Sequence, residues 1–155
     1  MSIRQWSVRH SLLMETIYTV VKFVFIRIHP LLDRIGYARV EKPMAFVEKR
    51  VKGFLFNCQM CGDCYLSESG MSCPMNCPKN LTNGPCGGVR DNGNCEVDAG
   101  MKCVWVEAWE GSQHMKHGKN ILLVQNPVNF RIQGSSSWLR MTKKAVNLTS
   151  AKEAV

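Results

Sequence analysis

Three observations predict a small, α-rich and partly irregular chain, with N-terminal helices followed by a loop-rich, metal-stabilised cysteine domain. Up to residue 53, apolar side chains recur at helical spacing between Pro and Gly stop signals. All eight cysteines of the 155-residue chain fall between positions 58 and 103. Between 58 and 95, Asn83-Gly84-Pro85, Gly87-Gly88 and Asp91-Asn92-Gly93 leave few windows long enough for a helix or a strand. A segment of that kind builds no conventional core, so metal–thiolate bonds are expected to hold it.

Taken in order, residues 8–28 read as one helix. Glu15, Lys22 and His29 recur every seven residues, with Ser11 and Thr19 near the same side, giving a narrow polar stripe beside a broad apolar face. Such a helix packs on the core of its own chain or on a partner subunit, with attachment to a membrane surface as the alternative. A transmembrane segment over 12–32 is argued against by Glu15, Lys22, Arg27, His29 and Pro30, each charge costing about 2–3 kcal/mol at mid-bilayer. Pro30 suits the first position of a second helix that Gly36 stops. Pro43 then opens a third, with Met44, Val47 and Val51 on one face and Gly53 at its end. Phe54, Leu55 and Phe56 carry the chain into the first cysteine. Residues 101–109 are apolar enough to be buried, as helix or strand, with helix favoured. Residues 121–124 suit a strand or an extended docking segment, and the basic tail beyond Gly134 is expected to order only against something else. The chain thus divides into a helical, partner-docking segment (1–53), a cysteine-rich iron–sulfur domain (54–110) and an extended C-terminal segment and tail (111–155).

The cysteines begin as Cys58-x2-Cys61-x2-Cys64. Three thiolates at two-residue gaps can wrap a loop around one corner of a cubane, as in the bacterial run C-x2-C-x2-C-x3-C-P. The end of that run follows an insertion, as Cys73-x3-Cys77-Pro78, and Cys86, Cys95 and Cys103 stand singly. Eight thiolates equal the requirement of two 4Fe-4S clusters. One cluster plus zinc, or zinc alone, are the alternatives, although zinc favours two separated C-x2-C pairs over an overlapping triplet. Met71, Met75, Met101, Trp105 and Trp109 can shield such a site or simply pack the core. His114 and His117 sit beside Lys116 and Lys119, which suggests a solvated surface and not a metal site. Gly84-Pro85-Cys86-Gly87-Gly88 lacks the spacing of a dinucleotide fingerprint.

Composition narrows the remaining possibilities. The chain is too short for a (β/α)8 barrel, which needs roughly 200 residues. The opening Met-Ser-Ile-Arg-Gln-Trp-Ser-Val-Arg-His shows neither an uninterrupted apolar stretch nor a cleavage site, so disulfides are disfavoured and a cytoplasmic protein is expected. The net charge of +8 is spread along the chain without aromatic interleaving, which points away from nucleic acid. Each cubane with four thiolates carries about −2, so part of the basic surplus can balance buried clusters.

The runs Cys58-Gln59-Met60-Cys61-Gly62-Asp63-Cys64 and Gly70-Met71-Ser72-Cys73-Pro74-Met75-Asn76-Cys77-Pro78-Lys79 resemble the methylenetetrahydrofolate reductase C-terminal domain family. So do Asn83-Gly84-Pro85-Cys86-Gly87-Gly88-Val89, Asn92-Gly93-Asn94-Cys95-Glu96-Val97 and Cys103-Val104-Trp105, and Ser136-Ser137-Trp138 is similar to the family's closing motif. The resemblance covers roughly residues 54–138. It implies an accessory, non-catalytic iron–sulfur subunit of a hetero-oligomeric reductase, with flavin and folate on a catalytic partner chain. Cys58, Cys61, Cys64, Cys73, Cys77, Cys86, Cys95 and Cys103 would hold the clusters, which pass electrons to the flavin or brace the complex.

Overall fold

The computed structural model describes residues 2–153. Six helices carry it: α1 (Ile3–Arg9), α2 (Ser11–Arg27), α3 (His29–Ile35), α4 (Tyr37–Phe56), α5 (Val104–Ser112) and α6 (Ser137–Glu153). Between α4 and α5 the chain forms only short 3-10 turns, at Leu66–Glu68 and Pro74–Asn76, and two isolated antiparallel bridges, Val89 with Cys95 and Asn94 with Lys102. The fold is therefore helix-rich, with the eight cysteines in a loop-rich region after the N-terminal helices.

Local chemistry sets most helix ends. Ser2 caps α1 in a reciprocal box with Gln5, each side chain bonding the other's backbone amide. The expected single helix over 8–28 is two, because the chain bends at His10 (φ −102°, ψ 34°). Pro30 does sit in the first turn of α3, and Gly36, at φ +91°, ends it in a conformation an L side chain rarely adopts. Pro43 does not open a helix: α4 already begins at Tyr37 and carries Pro43 inside it. Residues 101–109 are helical from Val104 onward. Instead of a strand, Gly118–Leu122 forms a 3-10 turn, and Leu122, Leu123 and Val124 lie exposed beyond and at its end.

The larger correction concerns the C-terminal segment, expected to be extended. Residues 137–153 form α6, which packs on α2 and α4 of the same chain. Trp138 and Leu139 are buried in a cluster with Phe25, Leu32 and Tyr37, and the Trp138 and Phe25 rings stand 5.7 Å apart. Burial of two large apolar side chains offsets the polar character of the rest of that helix. The ends of the sequence division, Met1 and residues 154–155, lie outside the described residues.

A second cluster joins Met14, Phe56, Leu66, Met71, Cys73 and Met115, with Tyr18 and Cys64 against it. Tyr18 touches both clusters, so α2 runs between the helical core and the cysteine segment.

Beside the apolar residues they give to the core, α2 and α4 bury polar side chains and leave large apolar ones exposed. On α2, Ser11 and Glu15 are buried, whereas Leu13, Ile17, Val20, Phe23 and Val24 are exposed. On α4, Glu48 and Lys52 are buried, whereas Phe46, Val47, Val51 and Phe54 are exposed. Glu15 accepts bonds from the backbone amides of Lys116 and His117 and from the His117 ring, at 2.7, 3.0 and 2.8 Å. His117 is thus an exposed ring that closes a structural contact, and His114 is exposed. Among the described residues no helix is long and apolar enough to cross a membrane.

Candidate metal centre

The end of α4 places the first cysteine. Asn57 terminates the helix in the left-handed region (φ 51°, ψ 49°), and the Cys58 amide donates back to the Lys52 carbonyl at 3.3 Å. The loop then folds over itself through Met60 (φ 51°) and Gly62 (φ 88°). A Cβ on Gly62 would meet the backbone carbonyl of Ile132, so glycine is required by both angle and space. Within the turn, the Met60 amide donates to Cys58 Sγ at 3.4 Å and the Cys61 thiol donates to the Asp63 carbonyl at 2.7 Å.

Cys73 returns to the same place by a different device. Gly70 (φ 59°) lays its backbone against Ala108 of α5, where no side chain fits. The chain then enters the Pro74–Asn76 turn, and Asn76 Nδ2 donates to the Phe56 carbonyl at 2.9 Å while its Oδ1 accepts from Asn57 Nδ2 at 2.9 Å. Those bonds pin the residues after Cys73 to the end of α4. The result is a narrow, partly open pocket lined by Cys58, Cys61, Cys64 and Cys73. Glu48, Lys52, Leu66 and Ser137 complete its wall.

Burial dominates the acidity of three of these thiols. It pushes Cys58 above the usual range, Cys61 to about 11 and Cys73 to about 12, and the neighbouring cysteines add to the rise. These three thiols are therefore held protonated at neutral pH, and a ligand that takes them as thiolates releases protons.

The remaining cysteines do not line this pocket. Cys103 is buried with Trp105 and Ala108, and Cys86 packs against that group. Cys95 is fixed by the bridge to Val89 and by its amide bonding the Met101 carbonyl at 2.9 Å. Cys77 is buried, and two residues on, Lys79 pairs with Glu96, the neighbour of Cys95. The proposed shield divides likewise: Met71 and Met75 border Cys73, Trp105 borders Cys103, and Trp109 is exposed.

All eight cysteines are free thiols. Among the described residues, no three His, Cys, Asp or Glu side chains converge closely enough to hold a single metal ion. The fit of the first four cysteines to a cluster rests on donor chemistry and their shared cavity: thiols spread around a space suit a group that offers a different iron to each.

Sequence reasoning passed over two residues of this wall, Glu48 and Lys52. Lys52 Nζ donates to Glu48 Oε1 and to Ser137 Oγ, each at 2.8 Å. Glu48 in turn accepts from the Ser136 hydroxyl at 2.7 Å and the Trp138 amide at 3.3 Å. Ser136-Ser137-Trp138 is thus the grip by which α6 holds an ion pair beneath the cysteines. The available signal was the four-residue spacing of Glu48 and Lys52, which normally marks an exposed pair.

The family model described as methylene-tetrahydrofolate reductase C terminal matches residues 37–131, from the start of α4 through the last cysteine and α5. No curated protein and no solved structure matches the chain. By that match, over more than half of its length, the chain belongs to the methylene-tetrahydrofolate reductase C-terminal family.

Proposed function

We propose that this chain is the iron–sulfur accessory subunit of a cytoplasmic methylenetetrahydrofolate reductase complex, holding two 4Fe-4S clusters and serving the flavin of a catalytic partner. The observation that carries the reading is the lining of one cavity by Cys58, Cys61, Cys64 and Cys73, in a chain of this family. Cys77, Cys86, Cys95 and Cys103 are assigned to the second cluster by subtraction and by the packing of Cys86 with Cys103. When bound, such clusters supply one-electron transfer at potentials set by charge, hydrogen bonds and solvent access. The chain's own residues position the thiols, give up their protons and, through Met71 and Trp105, restrict water.

The outward apolar face of α2, from Leu13 to Val24, is assigned to docking the catalytic chain, where flavin and folate reside. A run of exposed apolar side chains on one helix suits an interaction surface, since burying apolar area is favourable by about 25 cal/mol per Å².

The test is iron, sulfide and zinc analysis with a visible spectrum on anaerobically purified protein. About eight irons per chain and absorption near roughly 400 nm are expected. Zinc without iron would overturn the reading. A second reading, clusters that brace the complex without redox turnover, is favoured by the scarcity of regular structure between α4 and α5. It predicts a reduced-state EPR signal that persists when substrate is added to the complex; re-oxidation by substrate would support electron transfer.

A further inference from the structure

Next to the four-cysteine pocket lies an open cleft of about 420 Å³, within the range of roughly 300–1,000 Å³ usual for a bound group. No residue of α2 lines it. Three pieces of chain build it: the middle of α4, the turn after Asn57, and Gln133 with Gly134. Local geometry sets its shape. Met60 stands at a φ of 51°, and the Gly134 amide donates to the Met60 carbonyl at 2.7 Å. Gly134 has a φ of +84°, and a Cβ there would meet nothing within 4 Å, so angle and not crowding favours glycine. Cys58 and Met60 line this cleft and the four-cysteine pocket alike, so the two spaces share a wall.

The charge around the cleft is one-sided. Arg39, Lys42, Lys49 and Arg50 of α4 are all exposed. Among the described residues, the lining holds Lys49 and no carboxylate, and no acid of α4 is exposed. Glu48 is buried, and Glu41 accepts from the Ser136 amide at 2.6 Å. Lys52, Lys79 and Lys102 each have a carboxylate partner, but among the described residues Lys49 has none. Phe46, also in the lining, is 59% exposed, and the Arg50 guanidinium lies 4.8 Å from its ring centroid.

We propose that this cleft receives an acidic segment of the catalytic chain, with carboxylates on Lys49 and Arg50 and a projecting apolar side chain against Phe46 and Met60. Charge complementarity sets the sign of the occupant, because exposed cations without counter-charges match carboxylates. Shape sets its form: a cleft accepts a side chain that projects from a folded partner, which the flat surface of a bilayer does not offer. The shared wall sets which partner it is. An occupant of the cleft lies against Cys58, so the chain that the cysteine site serves is the one placed there. The inference rests on the reading given above, in which a catalytic chain docks on this one. To the face of α2 it adds a second contact, and two separate contacts fix the orientation of one chain on the other.

The experiment is calorimetric titration of the purified catalytic chain into the full, metal-loaded chain at low and at high salt. Lys49→Glu with Arg50→Glu is expected to weaken binding at least about tenfold at low salt and to remove most of its salt dependence. Gln133→Trp crowds the cleft without changing charge and is expected to weaken binding about tenfold at either salt. All three positions are exposed, so both variants are expected to fold. Unchanged affinity and salt dependence in the charge variant, with Phe23→Lys still weakening binding, would overturn the inference and leave the α2 face standing. An effect of the charge variant with none from Gln133→Trp would overturn the seating of a side chain in the cleft. Binding to phosphatidylcholine–phosphatidylglycerol vesicles that the charge variant loses, at unchanged affinity for the catalytic chain, would overturn it in favour of a membrane surface. No binding between the wild-type chains would overturn both readings.

Discussion

The helical frame and the cysteine segment solve opposite problems. In the frame, α2 and α4 turn apolar side chains outward and keep Glu15, Glu48 and Lys52 inside. In the cysteine segment, Met71, Cys73, Cys77, Cys95 and Cys103 are buried, with almost no regular structure to hold them. The frame has secondary structure to spare and leaves large apolar side chains exposed. The segment has little, and depends on left-handed turns, asparagine clamps and its sulfur atoms. The contrast teaches that the helices here are less a hydrophobic container than a scaffold. They present charge and hydrogen bonds to one side and exposed apolar side chains to the other.

Breaking the cysteine segment should have the largest effect. Cys64→Ser is expected to lower iron from about eight to about four per chain, read by metal analysis, while Cys103→Ser removes the complementary half. A loss of all iron in either variant would show that the two groups of cysteines are one unit.

Next in size is the inside of the frame. Lys52→Met alone leaves Glu48 buried without its cation and is expected to cost about 3–5 kcal/mol in chemical denaturation. Substituting Glu48→Gln in the same chain should recover part of that loss, because the two side chains are coupled.

Glu15 sharpens the comparison at the seam between the regions. Burial pushes its carboxyl up, but the Lys116 and His117 amides and the His117 ring outweigh that effect, and the group sits below its usual value of 4.5. A depressed carboxyl stabilises the fold above the unfolded pKa and loses that contribution as pH falls. Stability should therefore drop below pH 4.5, and Glu15→Gln, expected to cost about 2 kcal/mol at neutral pH, should flatten that drop.

The smallest effect on stability is expected on the outer face. Phe23→Lys, at a position 68% exposed, should change the folding free energy by no more than about 0.5 kcal/mol. The same substitution should weaken binding to the catalytic chain about tenfold or more, measured by titration of the purified subunits. Equal affinity would move the docking face elsewhere on the molecule.

Much of the site was legible without coordinates. The Cys58-x2-Cys61-x2-Cys64 spacing and the insertion before Cys73 are local patterns, and they lead to a shared cavity because short loops leave their side chains few places to go. Pro30 and Gly36 delimit α3 for equally local reasons, through fixed φ at one end and a positive φ at the other. The direction of α2 and α4 was not legible. Periodicity identifies an apolar face but assumes that the face turns inward. Glu15 is buried because amides about a hundred residues away in sequence converge on it. Glu48 is buried because two serines and an amide from α6 do the same.

By itself, the sequence determined where α3 starts and stops, between Pro30 and Gly36, which segment holds the sulfur, and to which family the chain belongs. Each follows from short-range sterics or from motif identity. Only the tertiary structure decided that α6 exists, that Ser136-Ser137-Trp138 grips Glu48, that Lys52 lines the same pocket as Cys58, Cys61, Cys64 and Cys73, and that α2 leaves Leu13, Ile17, Val20 and Phe23 exposed. Those outcomes depend on which distant groups satisfy a buried charge, and a buried charge takes the position where its hydrogen-bond partners meet.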